Sequence, residues 1–126
     1  MKEIWKSINE YPNYMVSNMG NVKSLNYRRT GREKILKPKI EKSGYQRVGL
    51  WKNGGKWYQV HRLVYEAFVG DIPKGMQVNH INEIKSDNRL ENLNLMTPKE
   101  NTNWGQEMKE FLKNKQMVNV QNQYYK

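Results

Sequence analysis

Residues 77–101 restrict the possible folds of this chain more than any other segment. Two short segments with the pattern of strands, residues 77–81 and 93–96, flank a polar loop, and Thr97-Pro98-Lys99-Glu100 follows the second segment. A threonine and a glutamate at this spacing form a capping box, and proline is favoured at the first position of a helix. The segment therefore predicts a strand, a loop, a second strand and a helix that begins near Thr97.

Three side chains of this segment have the chemistry needed to cleave a phosphodiester. His80, Asn92 and Asn101 occur at His-x11-Asn-x8-Asn spacing, which places them at the end of the first strand, at the end of the loop and in the first turn of the helix. Histidine titrates near neutral pH and can deprotonate water, and amide carbonyl oxygens are ligands for hard cations. We therefore predict a metal-dependent nuclease in which His80 is the general base. Asn79 and Asn101 are predicted to hold one divalent ion, Mg²⁺ or Mn²⁺.

Asn92 is the second member of the predicted catalytic set, and we expect its side chain to hold the backbone of the loop in position. Spacing alone leaves a structural interpretation open, because asparagine is common in turns and a lone histidine in a strand is usually structural. The other histidine, His61, lies where a strand meets a helix, and we expect it to cap or brace that helix rather than reach a phosphate. Zinc is disfavoured because the chain has two histidines and no cysteine.

The positive charge of the chain is concentrated in one segment. The formal net charge is +10, and residues 23–62 contain 12 lysines and arginines against two glutamates, which accounts for the whole excess. A basic face kept only for solubility would spread its charge more evenly, whereas a surface that binds a polyanion concentrates it. We predict that this segment binds double-stranded DNA through Lys23, Arg28, Arg29, Arg32, Lys34, Lys37, Lys39, Arg47, Lys52 and Lys56.

Short β-prone runs separated by Asn, Pro and Gly dominate the first part of the chain. Gly20 between residues 14–17 and 21–25 predicts a tight hairpin in a small antiparallel sheet. Lys52-Asn53-Gly54-Gly55 is the clearest hairpin signal of the sequence. Apolar residues at helical spacing predict a helix over residues 61–68. Together these patterns predict an α+β protein.

Composition excludes several other classes of protein. The chain has 126 residues and no cysteine, so it has room for one compact domain or two small modules and cannot form a disulfide framework. No apolar run approaches the roughly 20 residues of a membrane span, and the N-terminal residues lack the apolar stretch of a signal peptide. We therefore expect an intracellular, soluble protein with no membrane partner.

Residues 60–68, 78–93 and 97–101 closely resemble the HNH endonucleases of the phage and intron homing type. Residues 5–8 and 14–24 look like the nuclease-associated modular element often found ahead of that domain. The resemblance implies a small N-terminal antiparallel β-sheet module at residues 1–44, a ββα-metal (HNH) nuclease domain at residues 45–104 and a C-terminal helix or tail at residues 105–126.

The resemblance also implies roles for single residues. His80 corresponds to the general base of these nucleases, Asn92 to their structural asparagine and Asn101 to their last metal ligand. The residue before the base is often Asp in this family and is a metal ligand; here it is Asn79. This substitution lowers the charge of the ligand set.

These observations favour a DNA endonuclease that acts as a monomer or homodimer in the cytoplasm of a bacterial host, is encoded by a phage or mobile element and has no small-molecule cofactor. Few residues follow the predicted nuclease domain, so we do not expect a long recognition footprint on DNA. The alternative is a non-catalytic or weakly active DNA-binding protein on an HNH scaffold, such as a regulator or packaging accessory. An RNA-binding module is disfavoured because the sequence has no recognised RNA-binding signature.

Overall fold

Short antiparallel strands form most of the structure. The computed structural model describes residues 2–97, which contain three antiparallel sheets and one α-helix. The predicted α+β class is therefore confirmed. The predicted helix that begins near Thr97 and the predicted metal ligand Asn101 lie outside the described residues.

The first sheet has four strands in sequential order and contains the predicted hairpin. Its strands are β1 (Trp5–Ile8), β2 (Tyr11–Ser17), β3 (Val22–Ser24) and β4 (Lys34–Ile35). Gly20 has φ 87° in the turn between β2 and β3, a conformation that suits glycine. The hydroxyl of Ser17 accepts hydrogen bonds from the backbone N–H groups of Met19 and Asn21 at 3.2 and 3.1 Å. The Ser17 side chain therefore stabilises this turn.

The second sheet contains the other predicted hairpin. Its strands are β5 (Lys39–Ile40), β6 (Gln46–Trp51) and β7 (Gly55–Gln59), in that order. Asn53 and Gly54 have φ 54° and 112° in the β6–β7 turn, as the Asn-Gly-Gly sequence predicts. Strand β5 lies within the predicted N-terminal module but pairs with β6. The predicted domain boundaries stay predictions, and the backbone pairing crosses the first of them.

The helix and the third sheet follow the predicted order. Helix α1 (Val60–Phe68) begins one residue before the predicted start, and Gly70 follows its end with φ 146°. Strands β8 (Gln77–His80) and β9 (Leu93–Met96) form an antiparallel pair. No helix within residues 2–97 is long and apolar enough to cross a membrane.

One hydrophobic core is shared by α1 and all three sheets. Its buried members come from the first sheet, the second sheet, the helix and the third sheet: Ile8, Val16, Val22, Val48, Leu50, Val60, Leu63, Val64, Tyr65, Val78 and Leu93. Strand pairs as short as these are marginal alone. The core therefore joins the predicted N-terminal module to the predicted nuclease domain.

Leu50→Ala should lower the free energy of unfolding by about 2–5 kcal/mol, because Leu50 is 0 % exposed in the shared core and its truncation leaves a cavity. Urea denaturation measures the change. Ile40→Ala is the matched control, since Ile40 is a strand residue that is 71 % exposed. Equal losses in both variants would contradict a core centred on Leu50.

Candidate active site

The loop between β8 and β9 is held by the side chain of Asn92. The Asn92 amide nitrogen donates to the Asp87 carbonyl oxygen at 2.8 Å and to Asn82 Oδ1 at 2.9 Å. Its oxygen accepts a hydrogen bond from the Asn82 backbone N–H at 3.0 Å. These contacts brace both ends of the loop that follows His80. The structure places Asn92 where the sequence analysis expected it, while its part in catalysis stays a prediction.

An ion-pair cluster stiffens the same loop. Arg89 donates to both carboxylate oxygens of Asp87 at 2.8 Å and to Glu91 Oε1 at 2.6 Å. The guanidinium of Arg89 lowers the pKa of Asp87, so this carboxylate stays charged at neutral pH. Sequence reasoning missed this cluster, although the alternation of Asp87, Arg89 and Glu91 was a visible signal.

His80 lies at the end of β8 and is 4 % exposed, and its side chain has one hydrogen-bond partner within residues 2–97. Its Nε2 lies 2.7 Å from Asn88 Oδ1, and the Asn88 amide nitrogen donates to Gln46 Oε1 at 3.0 Å. An amide oxygen can only accept a hydrogen bond, so Nε2 carries the hydrogen and Nδ1 keeps the lone pair of the neutral ring. Burial lowers the pKa of His80, and the contact with Asn88 offsets part of this effect. The ring is therefore a neutral base at neutral pH.

His61 and Tyr45 stack beside His80. The ring centroids of His61 and His80 are 4.7 Å apart, and the Tyr45 ring lies 5.0 Å from His61 and 5.8 Å from His80. Burial, followed by the repulsion from His80 and Arg62, lowers the pKa of His61 to about 3. His61 is thus neutral and makes no side-chain cap of α1, for which Gln59 is the capping residue. Of its two expected structural roles, capping is wrong, and the ring instead contacts the candidate base.

Asn79 pairs across the third sheet with another asparagine. It lies opposite Asn94 in the β8–β9 register, and its amide nitrogen donates to Asn94 Oδ1 at 3.3 Å. The carbonyl oxygen of Asn79 is the atom suited to a metal ion. The amide nitrogen of Asn94 is buried and has no hydrogen-bond partner within residues 2–97. This pair was not predicted, because the two residues are 15 positions apart.

The side chains around His80 can be compared with the ligands that a divalent cation requires. Residues 2–97 contain no group of three or more His, Cys, Asp or Glu side chains that could hold a metal. What the described chain offers is a neutral amide oxygen next to a neutral imidazole. Such a set fits a hard cation that takes most of its other ligands from phosphate and water, and it does not fit a tetrahedral zinc site.

The predicted DNA-binding residues form a surface of cations and exposed aromatic rings. Trp51 and Trp57 are 58 % and 47 % exposed on the second sheet, and Lys39 and Arg47 lie over the Trp57 ring at 5.0 and 4.9 Å. A cleft of about 780 Å³ beside Trp51 opens between the first two sheets and is lined by further basic residues, namely Arg28, Arg29 and Lys52. This basic-aromatic surface has the composition of surfaces that bind nucleic acid.

Several of the predicted basic side chains already have a partner within the protein. Lys23 forms an ion pair with Glu33 at 2.9 Å and lies 4.4 Å from the centre of the Trp5 ring. Lys34 lies 4.3 Å from the centre of the Tyr27 ring. Arg28 and Arg29 follow each other with φ 51° and 62° in a short 3₁₀ turn and line the cleft, and the Arg28 guanidinium lies 5.2 Å from the centre of the Tyr27 ring. The DNA-binding assignments stay predictions. The ion pair with Glu33 weakens the assignment of Lys23.

The two strands, the loop between them and the position of His80 at the end of β8 define a domain of the HNH class. The family model described as HNH endonuclease matches residues 58–103, and the NUMOD4 motif matches residues 3–51. The same chain thus matches both modules that its sequence resembles.

Individual relatives support this classification. The SPbeta prophage-derived protein YosQ from Bacillus subtilis (strain 168) is 48 % identical over 75 residues, which cover 56 % of this chain and 43 % of YosQ. DNA endonuclease I-HmuI from Bacillus phage SP01 is 43 % identical over 99 residues, covering 77 % of this chain and 54 % of that protein. The chain spans about half the length of these two curated relatives.

A solved structure extends the comparison to three dimensions. The structure described as DNA binding and cleavage by the HNH homing endonuclease I-HmuI has a TM-score of 0.70 and 37 % identity, and the match covers 94 % of this chain and 68 % of that chain. The chain belongs to the HNH endonuclease family.

Asn92→Ala should lower the free energy of unfolding by about 1–3 kcal/mol, since it leaves the buried loop groups without their partners. Chemical denaturation checks this value. Asn13→Ala is the control, because Asn13 is an exposed strand residue whose substitution should change stability by about 0.5 kcal/mol or less. A loss no larger than that of the control would mean that the loop does not depend on Asn92.

Proposed function

We propose that this protein is a DNA endonuclease in which His80 removes a proton from the attacking water. The observation that carries the proposal is the neutral His80 ring, which is held at Nε2 by Asn88 and keeps its lone pair at Nδ1. A base with this protonation state can accept a proton at neutral pH without first losing one. The loop braced by Asn92 keeps the ring and its partner together.

Asn79 and Asn101 would hold a single Mg²⁺ or Mn²⁺ ion through their amide oxygens. When bound, such an ion neutralises the scissile phosphate and stabilises the leaving 3′ oxygen. Both amides are neutral, so they attract a cation less strongly than carboxylates would. The DNA phosphate therefore supplies most of the negative charge, and metal affinity should be low in the absence of DNA. The chain needs no small-molecule cofactor in this scheme.

Double-stranded DNA is the proposed partner of the basic-aromatic surface. The concentrated positive charge supports this assignment, as does the relative whose structure is described by its DNA binding and cleavage. The phage and prophage relatives support an origin in a phage or mobile element. We propose that the protein acts in the cytoplasm of a bacterial host, as a monomer or a homodimer.

Asn79 favours a second candidate, a DNA-binding protein with weak or no nuclease activity. Its amide takes the place that is often a carboxylate in HNH nucleases, and its nitrogen is engaged by Asn94. A weaker ligand set lowers metal occupancy and with it the cleavage rate. The two candidates agree on DNA binding and differ only in cleavage.

His80→Ala should reduce cleavage of supercoiled plasmid by about 100-fold or more, because it removes the proton acceptor. DNA binding should remain, since the ring is buried away from the basic-aromatic surface. Nicking and linearisation are followed with EDTA, Mg²⁺ or Mn²⁺ at matched DNA occupancy. Binding without cleavage by the wild type under every condition would select the second candidate, and full cleavage by the variant would remove His80 as the base.

Arg28→Gln with Arg29→Gln should weaken DNA binding and flatten its dependence on salt by about 0.9 in log–log slope for each phosphate contact that is lost. Fluorescence anisotropy with duplex DNA at several salt concentrations gives the slope. Lys2→Gln removes an exposed charge distant in sequence from the basic segment and serves as the control. An unchanged slope in the double variant would place the DNA elsewhere.

A further inference from the structure

We infer that the β2–β3 turn of the first sheet is a positioning part of the active site, because it supports Asn88, and Asn88 fixes the proton and the orientation of the His80 ring. The inference rests on the proposed function of His80. The β2–β3 turn would then have a positioning role, although it lies in the segment that matches the NUMOD4 motif and outside the segment that matches the HNH model.

Both polar atoms of the Asn88 amide make hydrogen bonds that fix its orientation. Its nitrogen donates to Gln46 Oε1 at 3.0 Å, so its oxygen is turned toward His80 Nε2 at 2.7 Å. The residue is 3 % exposed, so water has little access to compete for either contact. Gln46 thus selects the orientation of Asn88, and Asn88 selects the tautomer of His80 with hydrogen on Nε2.

The ring of His80 is restrained in two different ways. Stacking against Tyr45 and contact with the tilted ring of His61 limit the tilt of the ring plane. These contacts alone leave open a 180° flip about χ2, which keeps the plane of the ring but exchanges its edges, and the hydrogen bond to Asn88 removes this freedom. Asn88 therefore decides which nitrogen carries the lone pair that accepts the proton from water. A base displaced by a fraction of an ångström or held in the wrong tautomer loses much of its effect.

The β2–β3 turn touches Asn88 at its backbone. A Cβ atom on Gly20 would lie 3.0 Å from the carbonyl carbon, Cβ and oxygen of Asn88, so a larger residue would push the Asn88 backbone away by a few tenths of an ångström. Next to it, the Leu90 backbone N–H donates to the Asn18 carbonyl oxygen at 2.8 Å. Asn18 is itself held, because its side-chain oxygen accepts the Ile4 backbone N–H at 2.7 Å. The turn is thus a fixed support for the loop that carries Asn88.

Asn88→Ala tests the central contact. In the metal-free protein, ¹⁵N chemical shifts of the His80 ring should report the Nε2–H tautomer in the wild type and a mixture of tautomers in the variant. In plasmid cleavage, kcat should fall by about 10–100-fold while KM changes by about twofold or less. Asn88→Asp keeps an acceptor oxygen at the same place, so at alkaline pH, where the ring is neutral, it should restore the Nε2–H tautomer.

Gly20→Ala tests the support from the first sheet, and Gly75→Ala is its matched control. Both glycines have left-handed backbone, with φ 87° and 83°, so both substitutions impose the same kind of backbone strain. Apart from its chain neighbours, no atom of the described residues lies within 4 Å of a Cβ at Gly75. The tautomer signal and kcat should therefore change in the Gly20 variant and stay at the wild-type values in the Gly75 variant.

A wild-type tautomer and kcat in a folded Asn88→Ala protein would overturn the inference, and equal effects of the two glycine variants would overturn the role of the turn. If Gly20→Ala does not fold, Asn18→Ala replaces it, because it removes the side-chain hydrogen bond between the turn and the Ile4 N–H without a steric clash. Failure of the wild type to cleave DNA would refute the proposed function alone. The ring tautomer in the metal-free protein would still decide whether Asn88 and the turn position His80.

Discussion

The burial of helix α1 against strands of all three sheets is the interaction on which the rest of the structure depends. The helix contacts β1 and β2, β6 and β7, and β8 and β9. None of the sheets has more than four strands, and two or three short strands rarely hold together without a shared apolar layer. The same packing buries His61 on the first turn of α1 and brings it against His80. The hydrophobic core thus also buries the candidate base.

Burial explains why the site consists of neutral groups. Asn79, His80, Asn88, Asn92 and Asn94 are all buried, and burial of a carboxylate without a cation costs far more than burial of an amide that has a hydrogen-bond partner. Asn79 and Asn94 satisfy each other in part across the sheet. A neutral site remains stable when no metal or DNA is present. The same property would make the proposed metal binding depend on the charge of the DNA phosphate.

The sequence was most informative where structure is set by neighbouring residues. The β6–β7 hairpin, helix α1 and strands β8 and β9 were predictable because turn chemistry and apolar periodicity are local. The bond between Asn88 and Gln46 spans 42 positions, and the stacking of Tyr45 on both histidines joins two sheets through the core. Such contacts depend on how the sheets pack on α1. For the same reason the pairing of β5 with β6 was not predicted.

The first sheet connects the proposed DNA surface to the proposed chemistry. Its strand β3 leads into the turn that presents Arg28 and Arg29, and the β2–β3 turn at the other end of β3 lies against Asn88. DNA held by the two arginines would therefore be bound to a rigid element that also supports the base. Because both turns connect strands of one hydrogen-bonded sheet, the duplex would be held on the same element that supports His80, without ordering a flexible linker. A rigid connection of this kind lowers the entropic part of the barrier to cleavage, which gives a physical reason for combining the two modules in one core.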